Sequence, residues 1–193
     1  MNAPFATALL AGGRSTRMKQ DKALLHWHGQ DLWQAQLHKL QSIGASRVLL
    51  SCRAEQPLFV SPEEGVETLH DPDDVDQGPL GAIARCLEHV QMPLFVLAVD
   101  MPWMTAAFLR EQIAKHDRAD QGWFFRGSHG DEALAGMYVP AMLPLMRKAL
   151  EDQDLKLQRL IETCVHSGTA ITCPIEDHQA AFFHNVNTPA DLK

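Results

Sequence analysis

Residues 94–99 read Leu-Phe-Val-Leu-Ala-Val, six apolar side chains in a row, and Asp100-Met101-Pro102 follows at once. A strand with one wet face alternates apolar and polar residues, because successive side chains point to opposite faces. An unbroken apolar run therefore predicts a central parallel strand covered on both sides. Such a strand needs helices above and below its sheet, and the chain supplies them. Thr7–Ala11, Val48–Leu50 and Val66–Leu69 are further short apolar runs, as are Trp123–Phe125, Leu134–Val139 and Thr169–Cys173. Ala23–Trp27 reads as a strand entering the turn His28-Gly29-Gln30. Between these runs the period changes. From Asp31, Leu32, Ala35, Leu37, Leu40 and Ile43 recur at threes and fours, and Gly44 is a natural stop. Gly78-Pro79 opens a second helix, with Leu80, Ile83, Ala84 and Leu87 as its buried face. Thr105 caps a third through Lys115, Ala141–Leu150 and Leu155–Cys164 are two more, and Thr188-Pro189 starts a last one. The alternation predicts one α/β domain over residues 1–193, with a mostly parallel sheet and right-handed crossovers.

Composition narrows the partners. Apolar residues make up 46%, enough for a core without disulfides. Cys52, Cys86, Cys164 and Cys173 form no C-x-x-C pair and no zinc spacing, so reduced, mostly buried thiols are expected. The apolar runs fall far below the roughly 20 residues that span a bilayer. MNAPFATALLAGG lacks a basic leader and flows into glycines, which suits a first strand rather than a signal peptide. A cytoplasmic protein is expected, with no membrane contact. The formal net charge is −7, yet Gly12–Lys22 holds Arg14, Arg17, Lys19 and Lys22 against Asp21 alone, a local +3 that leaves −10 for the rest. Nucleic-acid binding calls for a broad basic excess, whereas a local one suits a small anionic ligand.

Ligands of open parallel sheets bind at the carboxyl ends of the strands, so the residues following each run matter most. After the first run, Gly12-Gly13 allow a sharp turn with N–H groups exposed, and Arg17 and Lys22 could join them around phosphates. The segment is neither a Walker A loop nor G-x-G-x-x-G, and a glycine turn followed by a solvated basic face would look the same. Asp100 stands where a carboxylate could hold Mg²⁺ with phosphate oxygens, or could simply begin a turn before proline. Among the acidic residues from Asp71 to Asp76, one could bond a base or ribose, and Gly78-Pro79-Leu80 puts a helix start nearby. In Asn185-Val186-Asn187-Thr188-Pro189, Asn187 could face the site, or Thr188 could cap while Asp191 sits in the first turn. His26 and His28 straddle Trp27 on one strand face, in a half-exposed hairpin, without a third metal ligand. No Ser-His-Asp or Cys-His arrangement stands out.

Taken together these segments resemble a known family. Leu10-Ala11-Gly12-Gly13-Arg14-Ser15-Thr16-Arg17-Met18 with Asp21-Lys22 is similar to the LAGGxSxRMGxDK loop of the MobA-like nucleotidyltransferases. The likeness continues through Asp71, Gly78-Pro79-Leu80-Gly81, Val99-Asp100-Met101-Pro102 and Asn185–Pro189, in order, over nearly the whole chain. It is strongest with the molybdenum cofactor guanylyltransferases of that family. The resemblance implies a three-layer, Rossmann-like nucleotidyltransferase fold. It also implies transfer of GMP from GTP to molybdopterin, or to its molybdenum-loaded form, with Mg²⁺ as cofactor and pyrophosphate released. Carried over by position, Leu10, Ala11, Gly12 and Gly13 line the nucleotide, and Lys22 contacts its phosphates. Arg17 supports the triphosphate, Asp71 helps bind guanosine, and Asp100 holds Mg²⁺. Ser51, Gly78, Pro79 and Leu80 complete the nucleotide side, while Asn185 and Asn187 mark the pterin side. Transient contact with molybdoenzymes or their chaperones is implied as well.

Three positions depart from the family pattern. Lys19 replaces the usual glycine, Ser51 stands where asparagine is common, and Gly130-Asp131-Glu132-Ala133-Leu134 lacks a His-Pro pair. These leave open a relative that uses CTP or another phosphorylated acceptor. A nucleotide-binding accessory protein without catalysis is the reading from a different class, and the intact Arg17, Lys22 and Asp100 speak against it.

Overall fold

The computed structural model describes residues 4–13, 21–72, 77–116, 118–128 and 130–192. Its centre is a sheet of seven strands: β1 Ala6–Leu10, β4 Arg47–Arg53, β5 Val66–Asp71, β6 Leu94–Ala98, β7 Gly122–Gly127, β8 Gly130–Tyr138 and β9 Ala170–Pro174. Their spatial order is 5-4-1-6-8-7-9. All neighbours run parallel except β8, which is antiparallel to both β6 and β7. Among the described residues five α-helices cover the sheet: α1 Leu32–Gln41, α2 Gly78–Val90, α3 Ala106–Lys115, α4 Leu143–Glu151 and α5 Leu157–His166. A small ribbon, β2 His26–Trp27 with β3 Gln30–Asp31, stands apart.

The apolar run from Leu94 to Val99 is buried throughout, and its alternation is spatial rather than chemical. Phe95 and Leu97 of β6 join Leu9, Leu37, Leu50, Leu109 and Trp123 in the core under α1 and α3. Leu94 and Val96 join Ala8, Leu49, Ile83, Met146 and Ile161 in the core under α2, α4 and α5. Two apolar layers on one sheet make the three-layer α/β sandwich. Local signals set the helix ends as expected. Thr105 accepts a hydrogen bond from the Phe108 N–H at 3.1 Å, and Gly44 after α1 has φ +87°, open to glycine without strain.

Three expectations need correction. Residues 23–27 do not form one strand: Lys22–Leu24 is a 3₁₀ turn, and only His26–Trp27 is extended. The Asp21 carboxylate accepts from the Ala23 N–H at 3.0 Å and starts the turn, so a cap outcompetes the apolar pattern. His28 lies in the turn at φ +47°, hence His26 and His28 do not share a strand face. The segment after Thr188 forms a 3₁₀ turn, Pro189–Leu192, rather than an α-helix. A longer 3₁₀ stretch, Asp177–Phe183, has no counterpart in the sequence reading.

The β7–β8 pairing leaves no room at Gly122. A Cβ there would stand 2.6 Å from the Met137 carbonyl oxygen and 3.0 Å from Met142 Sδ. The first neighbour is backbone and cannot swing away. Gly122→Ala is therefore expected to lower unfolding free energy by about 2 kcal/mol, in the range of overpacked core positions. Urea unfolding measures it, and a parental midpoint would show that the pairing yields.

Candidate active site

The strand order reverses at β1, whose neighbours β4 and β6 lead away in opposite directions. The crevice outside the carboxyl ends of β1 and β6 is where such sheets take ligands. Ala11 donates to the Ser51 carbonyl at 2.8 Å and Val99 to the Leu10 carbonyl at 3.1 Å. These bonds carry the ladder to the sheet's edge, where Gly12-Gly13 leave it.

At the end of β6, three distant segments meet. Lys22 Nζ donates to Asp100 Oδ2 at 2.9 Å and to Asn187 Oδ1 at 3.1 Å. The Val186 N–H donates to the Asp100 carbonyl at 2.8 Å, so the Asn185–Pro189 segment is pinned beside the carboxylate. Asp191 in turn accepts from the Asn187 and Thr188 N–H groups at 2.7 and 2.8 Å, and these two donors hold its carboxyl below the usual range. Asp191, rather than a Thr188 cap, orders this turn, and Asn187 Oδ1 accepts from Lys22. Asn185 is exposed and lies outside this contact set.

Behind Asp100, α1 holds the strand end. Gln36, wholly buried, donates to the Ala98 and Val99 carbonyls at 3.4 and 3.2 Å. Lys39 donates to Gln36 Oε1 at 2.5 Å and to the Pro102 carbonyl at 2.8 Å. Burial pushes the Lys39 ammonium down to about 8. Neither residue was singled out in the sequence. Their backbone partners lie 62 and 63 residues away, and nothing local in the sequence marks them.

On the other side of the glycine turn, Asp71 ends β5 and pairs with Arg85 of α2. Ser51 donates to the same carboxylate at 3.4 Å and is 1% exposed, so it backs Asp71 rather than lining the crevice. A Cβ on Gly12 would collide with Asp71 Oδ2, so a larger residue there would require the Asp71 carboxylate to swing away. Gly78 and Pro79 are exposed at the start of α2, but Leu80 is fully buried in the core and could meet a ligand only through its backbone. Leu10 is half-buried and Ala11 buried. Arg14, Arg17 and Lys19 lie outside the described residues.

The molecule also contains a Cys-His contact that the sequence did not reveal, with Cys173 Sγ 3.3 Å from His116 Nε2. Burial raises the thiol and lowers the imidazole, so both are held neutral and no thiolate nucleophile results. Among the described residues no group of three or more His, Cys, Asp or Glu could hold a metal. Asp100 is about a quarter exposed at the crevice and offers one carboxylate. That donor set fits Mg²⁺, which dehydrates reluctantly and is commonly held by one or two carboxylates plus substrate phosphates.

The chain matches the model of the MobA-like NTP transferase domain over residues 7–178. It is 37% identical to a molybdenum cofactor guanylyltransferase of Xanthomonas euvesicatoria pv. vesicatoria, covering 96% of this chain and 91% of the relative. It is 32% identical to a probable molybdenum cofactor guanylyltransferase of Opitutus terrae, covering 97% and 92%. Among solved structures, molybdopterin-guanine dinucleotide biosynthesis protein A of Archaeoglobus fulgidus superposes with a TM-score of 0.73 at 22% identity, covering 97% and 94%.

The buried groups give a pH signature. Lys39 in the folded chain has a pKa of about 8 against an ordinary 10.5, so between these values the unfolded chain binds more protons and stability rises with pH. Cys52, Cys86 and Cys164 are raised to about 11 from 9.0, so the folded chain binds more protons in that window and stability falls. Lys39→Met removes only the opposing rise. Its urea midpoint should show no gain from pH 8 to 9 and a steeper decline above 9 than the parent. Parallel curves for the two proteins would remove Lys39 from this balance.

Proposed function

The chain belongs to the MobA-like NTP transferase family, and we propose that it is a molybdenum cofactor guanylyltransferase, moving GMP from GTP to molybdopterin or its molybdenum-loaded form and releasing pyrophosphate. The observation that carries this reading is the meeting of Lys22, Asp100 and Asn187 at the end of β6. One cation, one carboxylate and one amide, drawn from the beginning, middle and end of the chain, face a crevice beside a glycine turn. That suits a nucleotide on one side and a second substrate on the other.

The acceptor is a phosphate monoester with a second pKa of about 6, already largely ionised at neutral pH. Its oxygen attacks the α-phosphorus of GTP. The new P–O bond forms as the bond to the β-phosphate oxygen breaks, and the electron pair leaves with pyrophosphate. No protein nucleophile and no strong base is needed, so the residues have to align and neutralise. Lys22 brings positive charge to the phosphates, and Asp100 and Asn187 fix where its ammonium sits. Gly12 and Gly13 offer backbone N–H groups to the same anion. Arg17 is assigned to the triphosphate, Asp71 with Ser51 behind it to the guanosine, and Gly78-Pro79 to the nucleotide's other flank. Asn187 and Asn185 belong to the pterin side. A divalent cation, Mg²⁺ on our reading, would be held by Asp100 together with the phosphates and would supply charge neutralisation at the reacting group. Among the described residues no helix is long and apolar enough to cross a membrane. We assign the enzyme to the cytoplasm, with molybdoenzymes or their chaperones receiving the product.

Pyrophosphate release with Mg²⁺, molybdopterin and each NTP in turn tests the assignment. Release with GTP alone is expected. Release with CTP alone would make the chain a cytidylyl-using relative, and nucleotide binding without release would make it an accessory protein. In the same assay Asp100→Asn should lose about a hundredfold or more in turnover, the loss of a charge-neutralising ligand being worth several kcal/mol. Near-parental turnover in that variant would take Asp100 out of the site.

A further inference from the structure

Arg53 ends β4 and reaches across the end of β1 to the glycine turn. Its Nη1 donates to the Gly12 carbonyl at 2.5 Å and to the Gly13 carbonyl at 3.0 Å. Its Nη2 donates to Asp21 Oδ2 at 3.1 Å. Gln56, three residues on, donates through Nε2 to the Ala11 carbonyl at 2.9 Å and to the same Asp21 oxygen at 2.7 Å. Two neighbouring side chains thus hold three consecutive carbonyls and the residue before Lys22.

We propose that Arg53, seconded by Gln56, is a positioning residue that sets the direction of the glycine-turn amides and so builds the anion-binding face of the nucleotide site. In a trans peptide the C=O and the following N–H point opposite ways within one plane. Holding the Ala11 and Gly12 carbonyls toward Gln56 and Arg53 therefore turns the Gly12 and Gly13 N–H groups to the other side. Among the described residues neither N–H has an acceptor. Consecutive N–H groups aimed alike form a concavity for an anion. A glycine pair left to itself has the widest choice of conformations of any dipeptide, so this direction has to be imposed. Arg53 imposes it with the planar fork that only arginine has. The grip on Asp21 extends the effect, because Asp21 Oδ1 also starts the Lys22 turn by accepting from Ala23. One guanidinium ties the amides of the turn to the lysine that meets Asp100.

Arg53 does not itself face the ligand, since three of its donor groups are engaged with the turn, Asp21 and, through Nε at 2.9 Å, Glu55. Its loss should act through the amides. The proposal rests on the reading of this crevice as a triphosphate site, and its test separates the two. Full-length parent, Arg53→Ala, Arg53→Lys and Gln56→Leu are titrated calorimetrically with inorganic tripolyphosphate, GTP and CTP. Amide hydrogen exchange is followed at Gly12 and Gly13. Arg53→Ala is expected to bind tripolyphosphate and GTP about tenfold or more weakly, the weight of losing charge-assisted bonds. With tripolyphosphate bound, exchange at Gly12 and Gly13 should be faster in Arg53→Ala than in the parent, while the melting temperature stays within a few degrees. Arg53→Lys should recover only part of the affinity, because one ammonium cannot span both ends. If Arg53→Ala does not fold, Gln56→Leu, which keeps the charge and loses the Ala11 and Asp21 bonds, carries the same readouts with a smaller loss. Unchanged tripolyphosphate affinity in a folded variant, full rescue by lysine, or a parent that does not bind tripolyphosphate would overturn the proposal. A parent that binds tripolyphosphate and CTP but not GTP would overturn the guanylyl assignment and leave the role of Arg53 standing.

Discussion

Burial of β6 on both faces leaves its side chains almost no contact with water, and its backbone pairs with β1 and β8, with Gln36 on its last carbonyl. The strand must run to the edge of the sheet before any residue of that segment can turn polar, and the first that does is Asp100. A carboxylate at that place is about a quarter exposed, with a wholly apolar strand behind it and buried Gln36 fixing the carbonyls just before it. The site is thus where the core stops. Its rigidity comes from packing that has nothing to do with phosphate, which is how a positioned catalytic group escapes the entropy of a free loop.

The charges at this edge cannot be read as stabilising the fold. Lys22–Asp100 and Arg53–Asp21 are each partly exposed, and exposed ion pairs contribute about 0–1 kcal/mol. The two pairs differ in what surrounds them. Around Asp21, every donor leads back to the protein: Arg53, Gln56 and the Ala23 N–H. Around Lys22, the partners are half-open side chains at a crevice, and Asn187 arrives from 165 residues away. The first cluster orders the backbone and the second faces outward. Within this segment the one anion, Asp21, thus serves the backbone, while Lys22 turns outward.

Legibility in the sequence followed the range of the interaction. Apolar runs, the Thr105 cap and the Gly44 stop are local, and they predicted β6, α3 and the end of α1. Asp100 and Lys22 were legible because strand ends and a cation excess are visible in one dimension. The turn at Lys22–Leu24 was missed although Asp21 was in view, since an apolar stretch after a capping carboxylate suits strand and turn alike. Arg53, Gln56, Gln36 and Arg85 were not legible. Each acts across the fold on a partner 14 to 63 residues away, and nothing in its neighbours announces it. Leu80 shows the opposite error: a residue inside a motif is drawn toward the ligand by the motif, while its burial assigns it to the core.

Under the proposed function, the topology lets two substrates share one edge. Strands β5, β4 and β1 carry Asp71, Ser51, Arg53 and the glycine turn, all on one side of β6. Strands β8, β7 and β9 lie on the other side, β8 directly against β6, and after β9 the chain returns to the end of β6, where Val186 bonds to the Asp100 carbonyl. Because β8 is antiparallel, its early residues, not its late ones, reach the site edge: Leu97 of β6 pairs with Ala135, and Leu94 with Tyr138. The half of the sheet that lacks a glycine turn and a cation cluster has a surface of its own at that edge, opposite the nucleotide segments. Under the proposed function, a group transferred between the two halves passes over Asp100, which lies just beyond the end of the most buried strand.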